Sequence, residues 1–299
     1  MAARNRRQKR RLMKLTWAII VIIIGTVGAY FVKDYIGGTG PEPVSGNEVQ
    51  FHFIDVGQGD AALIRTAEFD VLIDAGPGSN EDDLKAYLDK HGVDDIEYAI
   101  FTHPDEDHIG GADVILENYN VKNVIQPDCV VETKVYQRMV ELIDAEGSVQ
   151  ITAEPGYQFR VGEVKYTILA PIGETYSSRN NYSVVVRVDY GETSVLFTGD
   201  AEKPSEEEML DRYRFTGELD CDIIKVGHHG SDSSSTEAFV KAVTPDFAII
   251  SCGKDNKHGH PDQSVVSRYQ GMSIPMYRTD LEGDIVFTTT GGEPEKKAA

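Results

Sequence analysis

Residues 98–111, Tyr-Ala-Ile-Phe-Thr-His-Pro-Asp-Glu-Asp-His-Ile-Gly-Gly, constrain this chain more than any other stretch. Four apolar residues run into two histidines and two aspartates within six positions, and then into paired glycines. A buried strand explains the apolar run. At its end, a loop can bring His103, Asp105, Asp107 and His108 to one point. Neutral imidazoles and carboxylates are first-rank ligands for Zn2+, Mn2+ or Fe. A solvated polar turn would account for the aspartates but not for the histidines that frame them.

The same design recurs along the chain. Val195-Leu-Phe-Thr-Gly-Asp200 is an apolar strand that ends on a carboxylate, and Asp200 at a strand tip can bridge two metals. Ile223-Ile-Lys-Val-Gly-His-His-Gly-Ser231 is a strand followed by His228 and His229, and Lys257-His-Gly-His-Pro261 offers His258 and His260. Phe53–Asp60 and Leu72–Gly76 place further acids at strand ends. Six of the eight histidines therefore fall in three loops after strands. His52, alternating within a strand, and His91, ending a helix where a cation suits the dipole, read as structural.

Short apolar runs predict strands at 49–56, 61–66, 70–74, 96–102, 121–126, 149–153, 157–160, 164–170, 182–190, 193–198, 222–226, 246–251, 274–277 and 284–289. Helical spacing and stop signals predict helices at 81–91, 110–118, 131–146, 206–213 and 236–243. Strands dominate the first quarter and alternate with helices later. The pattern is that of an α/β protein, with two sheets faced by helices in one domain over 49–290.

The ends of the chain differ from this domain. Residues 1–14 hold seven of the 29 basic residues and no acid, which leaves 22 basic against 49 acidic residues elsewhere, a net charge of −27. Such a domain repels polyanions at long range. Residues 15–32 carry no charge over 18 positions, long enough as one helix to cross a membrane. The basic block before it should stay in the cytoplasm, placing the rest outside. The expectation is a cell-membrane protein with one N-terminal transmembrane helix as its membrane partner and an extracellular C-terminal domain. The rival is a cleavable signal peptide with a small-residue site at Val27-Gly28-Ala29, but the apolar run is longer than such segments carry. Residues 33–48, rich in Gly and Pro, read as a linker and 291–299 as a frayed tail. Cys129, Cys221 and Cys252 are far apart and odd in number, against a disulfide framework or a thiolate cluster.

Taken in order, HFIDVGQGDAALI, LIDAG, THPDEDHIGG, NNYSVVV, LFTGD, KVGHHGS and HGHP give the chain its resemblance to the metallo-β-lactamase fold. More narrowly, residues 49–289 resemble the extracellular hydrolase domain of ComEC-type competence proteins and their stand-alone relatives. The resemblance implies an αββα sandwich with two divalent metal ions, Zn or Mn. His103 and Asp105 would serve one metal and Asp107 and His108 the second, with Asp200 bridging. His229 or His228 would complete the second site, and His260 would face the reacting group. The broad family pattern has a further ligand histidine before the bridging aspartate. Here no histidine lies between His108 and His228, and Asn180-Asn181-Tyr182-Ser183 stands in that region, as in the ComEC-like branch. The first metal site is then richer in oxygen, which favours Mn2+ and argues against a true β-lactamase.

A paired-metal site of this kind hydrolyses by a metal-bridging hydroxide. The expected substrate is a small or short phosphodiester, DNA among the candidates. An envelope phosphodiester, or a small ester or lactone, is the runner-up, and a non-catalytic envelope module is the alternative from another class. Asp107, His228 and His260 are the expected catalytic residues; Asn181, Ser183, Ser231 and His258 are expected to bind substrate.

Overall fold

Uninterrupted apolar runs form the middle strands of two sheets, because a strand covered on both faces has no polar side to show. The computed structural model describes residues 44–297. The basic segment, the apolar run 15–32 and the linker up to residue 43 lie outside the described residues. Among the described residues, no helix is long and apolar enough to cross a membrane.

The first sheet contains β1 (Val49–Phe53), β2 (Ala61–Arg65), β3 (Asp70–Ala75), β4 (Asp95–Ile100), β5 (Asn120–Gln126), β6 (Val149–Thr152), β14 (Ile285–Thr289) and β15 (Glu295–Lys296). Its order is β15-β14-β1-β2-β3-β4-β5-β6. The second contains β7 (Gln158–Val161), β8 (Val164–Ala170), β9 (Val185–Tyr190), β10 (Thr193–Phe197), β11 (Ile223–Lys225), β12 (Phe247–Ile250) and β13 (Met276–Arg278), in the order β13-β12-β11-β10-β9-β8-β7. Both follow one plan. Antiparallel neighbours come first, β1-β2-β3 and β7-β8-β9-β10. Parallel runs follow, β3-β4-β5-β6 and β10-β11-β12-β13.

Strand alternation sorts the side chains into layers. In β3, Val71 and Ile73 enter the core between the sheets, while Leu72 joins Leu84 and Leu88 of α1 (Glu81–His91). In β10, Val195 and Phe197 face the shared core and Leu196 faces the helices of the second sheet. Each such fully buried Leu or Phe contributes roughly 2 kcal/mol. The outer layer of the first sheet also includes α2 (Glu106–Ile109), α3 (Ala112–Asn118) and α4 (Lys134–Glu146). The second sheet is covered by α5 (Lys203–Tyr213), α6 (Glu237–Val243) and α7 (Gln263–Gly271), and a last turn, α8 (Thr279–Glu282), precedes β14. The layers are αββα, as the resemblance implies.

Several boundaries differ from the sequence reading. The expected strand 182–190 starts only at Val185, because Arg179–Tyr182 forms a 3-10 turn. Helix α5 starts at Lys203 instead of 206, since Pro204 in its first turn has the right φ and no amide to lose. Helix α7 was not anticipated. The tail expected to fray from 291 instead pairs: β15 binds β14, and Lys297 N–H reaches Val286 O at 2.8 Å. The three cysteines are unpaired, Cys221 and Cys252 buried and Cys129 partly exposed.

Candidate metal centre

The parallel strands of both sheets end at one place, where open α/β sheets commonly carry ligands. Asp74, near the end of β3, organises the first-sheet side. Its backbone is left-handed, φ 59°, which is uncommon outside glycine. Its carboxylate accepts the Thr102 N–H and the Thr102 hydroxyl, each at 2.7 Å, and lies 2.7 Å from His108 Nδ1. This turns His108 Nε2 the other way, to 3.3 Å from Asp200 Oδ1. His103 lies beside it, ring centroids 4.2 Å apart and planes tilted by 54°, with Nε2 3.9 Å from Asp200 Oδ2 and 4.0 Å from Asp105 Oδ2.

The second-sheet side comes from the turns after β10 and β11. Gly199 takes φ 49°, and a Cβ there would lie 2.9 Å from Thr102, so glycine lets the Asp200 turn close against the first loop. His228 and His229 are both left-handed, φ 49° and 55°, two adjacent strained residues at one turn. The result separates two side chains that the sequence could not tell apart. His229 is buried, with Nδ1 3.0 Å from Ser251 O and 3.1 Å from Asp60 Oδ1. Its Nε2 stands 3.3 Å from Asp107 Oδ2 and 3.5 Å from Asp200 Oδ1. His228 stays nearer the surface, Nδ1 3.0 Å from Ser233 Oγ and Nε2 3.7 Å from Asp200 Oδ2.

Donor atoms of Asp107, His108, Asp200 and His229 lie within 4.8 Å of one another, close enough for one ion. His103 faces the other oxygen of Asp200, at 3.9 Å, and Asp105 lies beyond it, 4.0 Å from the same His103 nitrogen. The fit is testable on burial. His103 Nε2, His108 Nε2, His229 Nε2 and Asp200 Oδ1 are buried without a hydrogen-bond partner. Each orphaned polar atom costs about 1–3 kcal/mol, and divalent cations among them would satisfy all four, so the residues fit the group. Asp60, Asp74 and His108 also cluster, but these carboxylates are already engaged. Asp60 pairs with buried Lys225 at 2.8 Å and with His229; Asp74 pairs with Thr102 and His108. They orient His108 and His229 from behind, as outer carboxylates do where histidines hold a metal.

The electrostatics agree. Burial disfavours charge on His229, yet Asp200 and Asp60 overcome it and carry its pKa to about 10. Burial likewise opposes His108, and Asp200 and Asp74 lift it well above the usual value. A potential that draws protons this strongly also draws metal cations, which must displace them. His103 behaves oppositely: burial, and then the charge on His108, push it down to about 3. Asp200 is buried, which opposes ionisation, but His229 and His108 hold its carboxyl well below the ordinary range.

The residues expected to bind substrate do not stand together. Asn181 is buried, giving its amide to Glu202 Oε2 at 3.0 Å and accepting the N–H groups of Glu202 and Ser205. Ser183 is buried and accepts the Asp200 N–H at 3.0 Å. Ser231 bonds Ser233 Oγ at 3.0 Å. All three brace the site from behind. His258 and His260 are at the mouth, rings 5.6 Å apart, and His260 lies 5.4 Å from the His228 ring. Burial, followed by the charges of His228 and His229, pushes His260 down to about 4. Asp60 and Asp74 had been visible only as acids at strand ends, and Lys225 as part of a strand. His52 is buried and bonded to Tyr87 and Gln50, consistent with a structural role.

The layers and the strand-end cluster of histidines and aspartates, which could hold metal ions, define an α/β sandwich with a candidate metal site. The metallo-beta-lactamase superfamily model matches residues 54–254, and the chain belongs to that superfamily. Within it, the chain is similar to ComE operon protein 3 of Bacillus subtilis, 32% identical over 263 residues, covering 82% of this chain and 34% of that protein. It is also similar to competence protein ComA of Neisseria gonorrhoeae, 30% identical, covering 83% of this chain and 33% of the other. The chain thus spans about one third of the length of these relatives. Among solved structures, it superposes on the metallo-beta-lactamase fold protein YhfI of Bacillus subtilis with a TM-score of 0.55 and 12% identity, covering 81% of this chain and 100% of that one. At that identity the likeness concerns the fold alone.

Proposed function

We propose that this chain is a membrane-anchored, extracytoplasmic, metal-dependent hydrolase of phosphodiester bonds. The observation that carries the reading is the set of unpartnered, buried imidazole nitrogens of His103, His108 and His229 turned toward Asp200. A binding module has no use for so many ligands in register. His103, Asp105, Asp107, His108, Asp200 and His229 would hold two divalent ions, Mn2+ or Zn2+. Bound there, such ions polarise a phosphoryl oxygen and acidify an attacking water. Asp107, about one third exposed (32%), faces the open side and orients the water. His228, steadied by Ser233, supplies the leaving-group proton. His260, neutral at pH 7 with a buried unpartnered Nδ1, stabilises developing charge through a neutral ring N–H.

The relatives named for competence support a phosphodiester of the nucleic-acid type. The anchor rests on the seven basic residues before the apolar run. The acidic domain favours short substrates over long DNA. The test uses the full chain loaded with Mn2+ or Zn2+. Bis-(p-nitrophenyl) phosphate or a short single-stranded oligonucleotide should be cleaved and a β-lactam should not; Asp107→Ala should lose at least ~100-fold in rate. Full metal content without diesterase activity would sink the reading, and activity that survives Asp107→Ala would remove Asp107 from it.

A further inference from the structure

One cation at this site has no role so far. Arg179 opens the 3-10 turn before β9. Its Nε lies 2.9 Å from Asp105 Oδ1, and half of its side chain is exposed (50%). The contact is one of charge without hydrogen-bond alignment, since the buried Asp105 Oδ1 has no hydrogen-bond partner. Among the described residues, no hydrogen bond engages any donor of the guanidinium. A dedicated counter-ion for Asp105 would be buried and forked onto both oxygens. This side chain is neither.

Its base, by contrast, is fixed. Asn181, two residues on, is tied to Glu202 and Ser205, and Ser183 to the Asp200 N–H. The backbone of Arg179 is therefore anchored to the turn that carries Asp200, while its guanidinium, set against Asp105, engages no hydrogen bond among the described residues. The charged group it meets, Asp105, is an acid. Lys225 is buried on Asp60 and cannot reach the mouth. An anionic substrate entering a domain of net charge −27 outside its first 14 residues needs a local cation with open donors, and a planar guanidinium matches phosphoryl oxygens.

We infer that Arg179 grips the non-bridging phosphoryl oxygens of the substrate, selecting an anionic diester. The inference rests on the phosphodiester reading above, and its test separates the two. Inorganic phosphate is the probe, and its binding to the metal-loaded full chain is measured by calorimetry beside metal content. Arg179→Ala should weaken phosphate binding roughly tenfold or more at unchanged metal content. Arg179→Lys should recover part of the loss, since lysine keeps the charge but not the fork. With bis-(p-nitrophenyl) phosphate, Arg179→Ala should raise KM by a similar factor and leave kcat within about threefold. Equal phosphate affinity in wild type and Arg179→Ala overturns the inference. So does a loss of phosphate binding that merely tracks a loss of metal, because Arg179 would then serve Asp105 alone. A wild type that binds phosphate through Arg179 yet cleaves no diester would support the grip and refute the activity.

Discussion

His108 has its ring nitrogens committed in opposite directions, Nδ1 to Asp74 at 2.7 Å and Nε2 toward Asp200. Asp74→Asn keeps the shape but removes the charge that fixes this orientation. Metal affinity should fall about 10–100-fold with the fold intact; unchanged affinity in a chelator competition would deny Asp74 its supporting role. The same cluster predicts a pH effect. Folded-state values are raised for His229, to about 10, and for His108, so at pH 7 His229 carries a proton that metal must displace. Raising the pH should therefore strengthen loading, with net proton release at pH 7. The dependence of calorimetric enthalpy on buffer ionisation measures this, and no dependence would contradict it. In metal-stripped protein, the His229 contribution to stability is fully present below its ordinary value of about 6.5 and is lost as pH rises through about 10. At this scale the candidate ligands were legible because histidine and aspartate announce their chemistry by type. Asn181, Ser183 and Ser231 were not, because amides and hydroxyls serve a substrate and a backbone turn equally well. Nor could adjacency separate His228 from His229, whose directions depend on two left-handed residues in succession.

Helices and strands show the same division between pattern and context. Helix α4 is written in full: Thr133 caps it by accepting the Tyr136 N–H, Met139 and Ile143 bury one face, and Gly147 ends it at φ 77°. Thr133→Ala should cost about 1 kcal/mol, read as a lower urea midpoint. Metal content should not change, since α4 packs on the outer face of the first sheet; a change there would mean that α4 reaches the site. Central strands were legible because their apolar runs exceed what a turn can carry. Helix α7 was missed because only Val265 and Tyr269 of its nine residues are buried, leaving little periodicity, although Asp262 caps it through the Ser264 N–H. Strand β15 has two charged residues and no apolar signal; backbone pairing alone makes it.

Across the molecule, each sheet contributes part of the site. The loop after β4 brings His103, Asp105, Asp107 and His108, and the turns after β10 and β11 bring Asp200 and His229. The first 43 residues are legible only as sequence, and they make a topological prediction. Protease added to intact cells should remove the acidic domain while the chain stays with the membrane beforehand; protection of the domain would reverse the orientation. One pairing also bears on how the chain becomes a domain. Strand β1 lies between β2 and β14, with Val49 opposite Thr289. The larger sheet cannot close until β14 (Ile285–Thr289) has been synthesised. Until then, β1 presents an open edge that could recruit a foreign strand, and closure joins strands far apart in sequence, which is slow. The synthesis of β14 thus sets the clock for closing this sheet, and a chain cut short before residue 285 would leave β1 as an exposed, aggregation-prone edge.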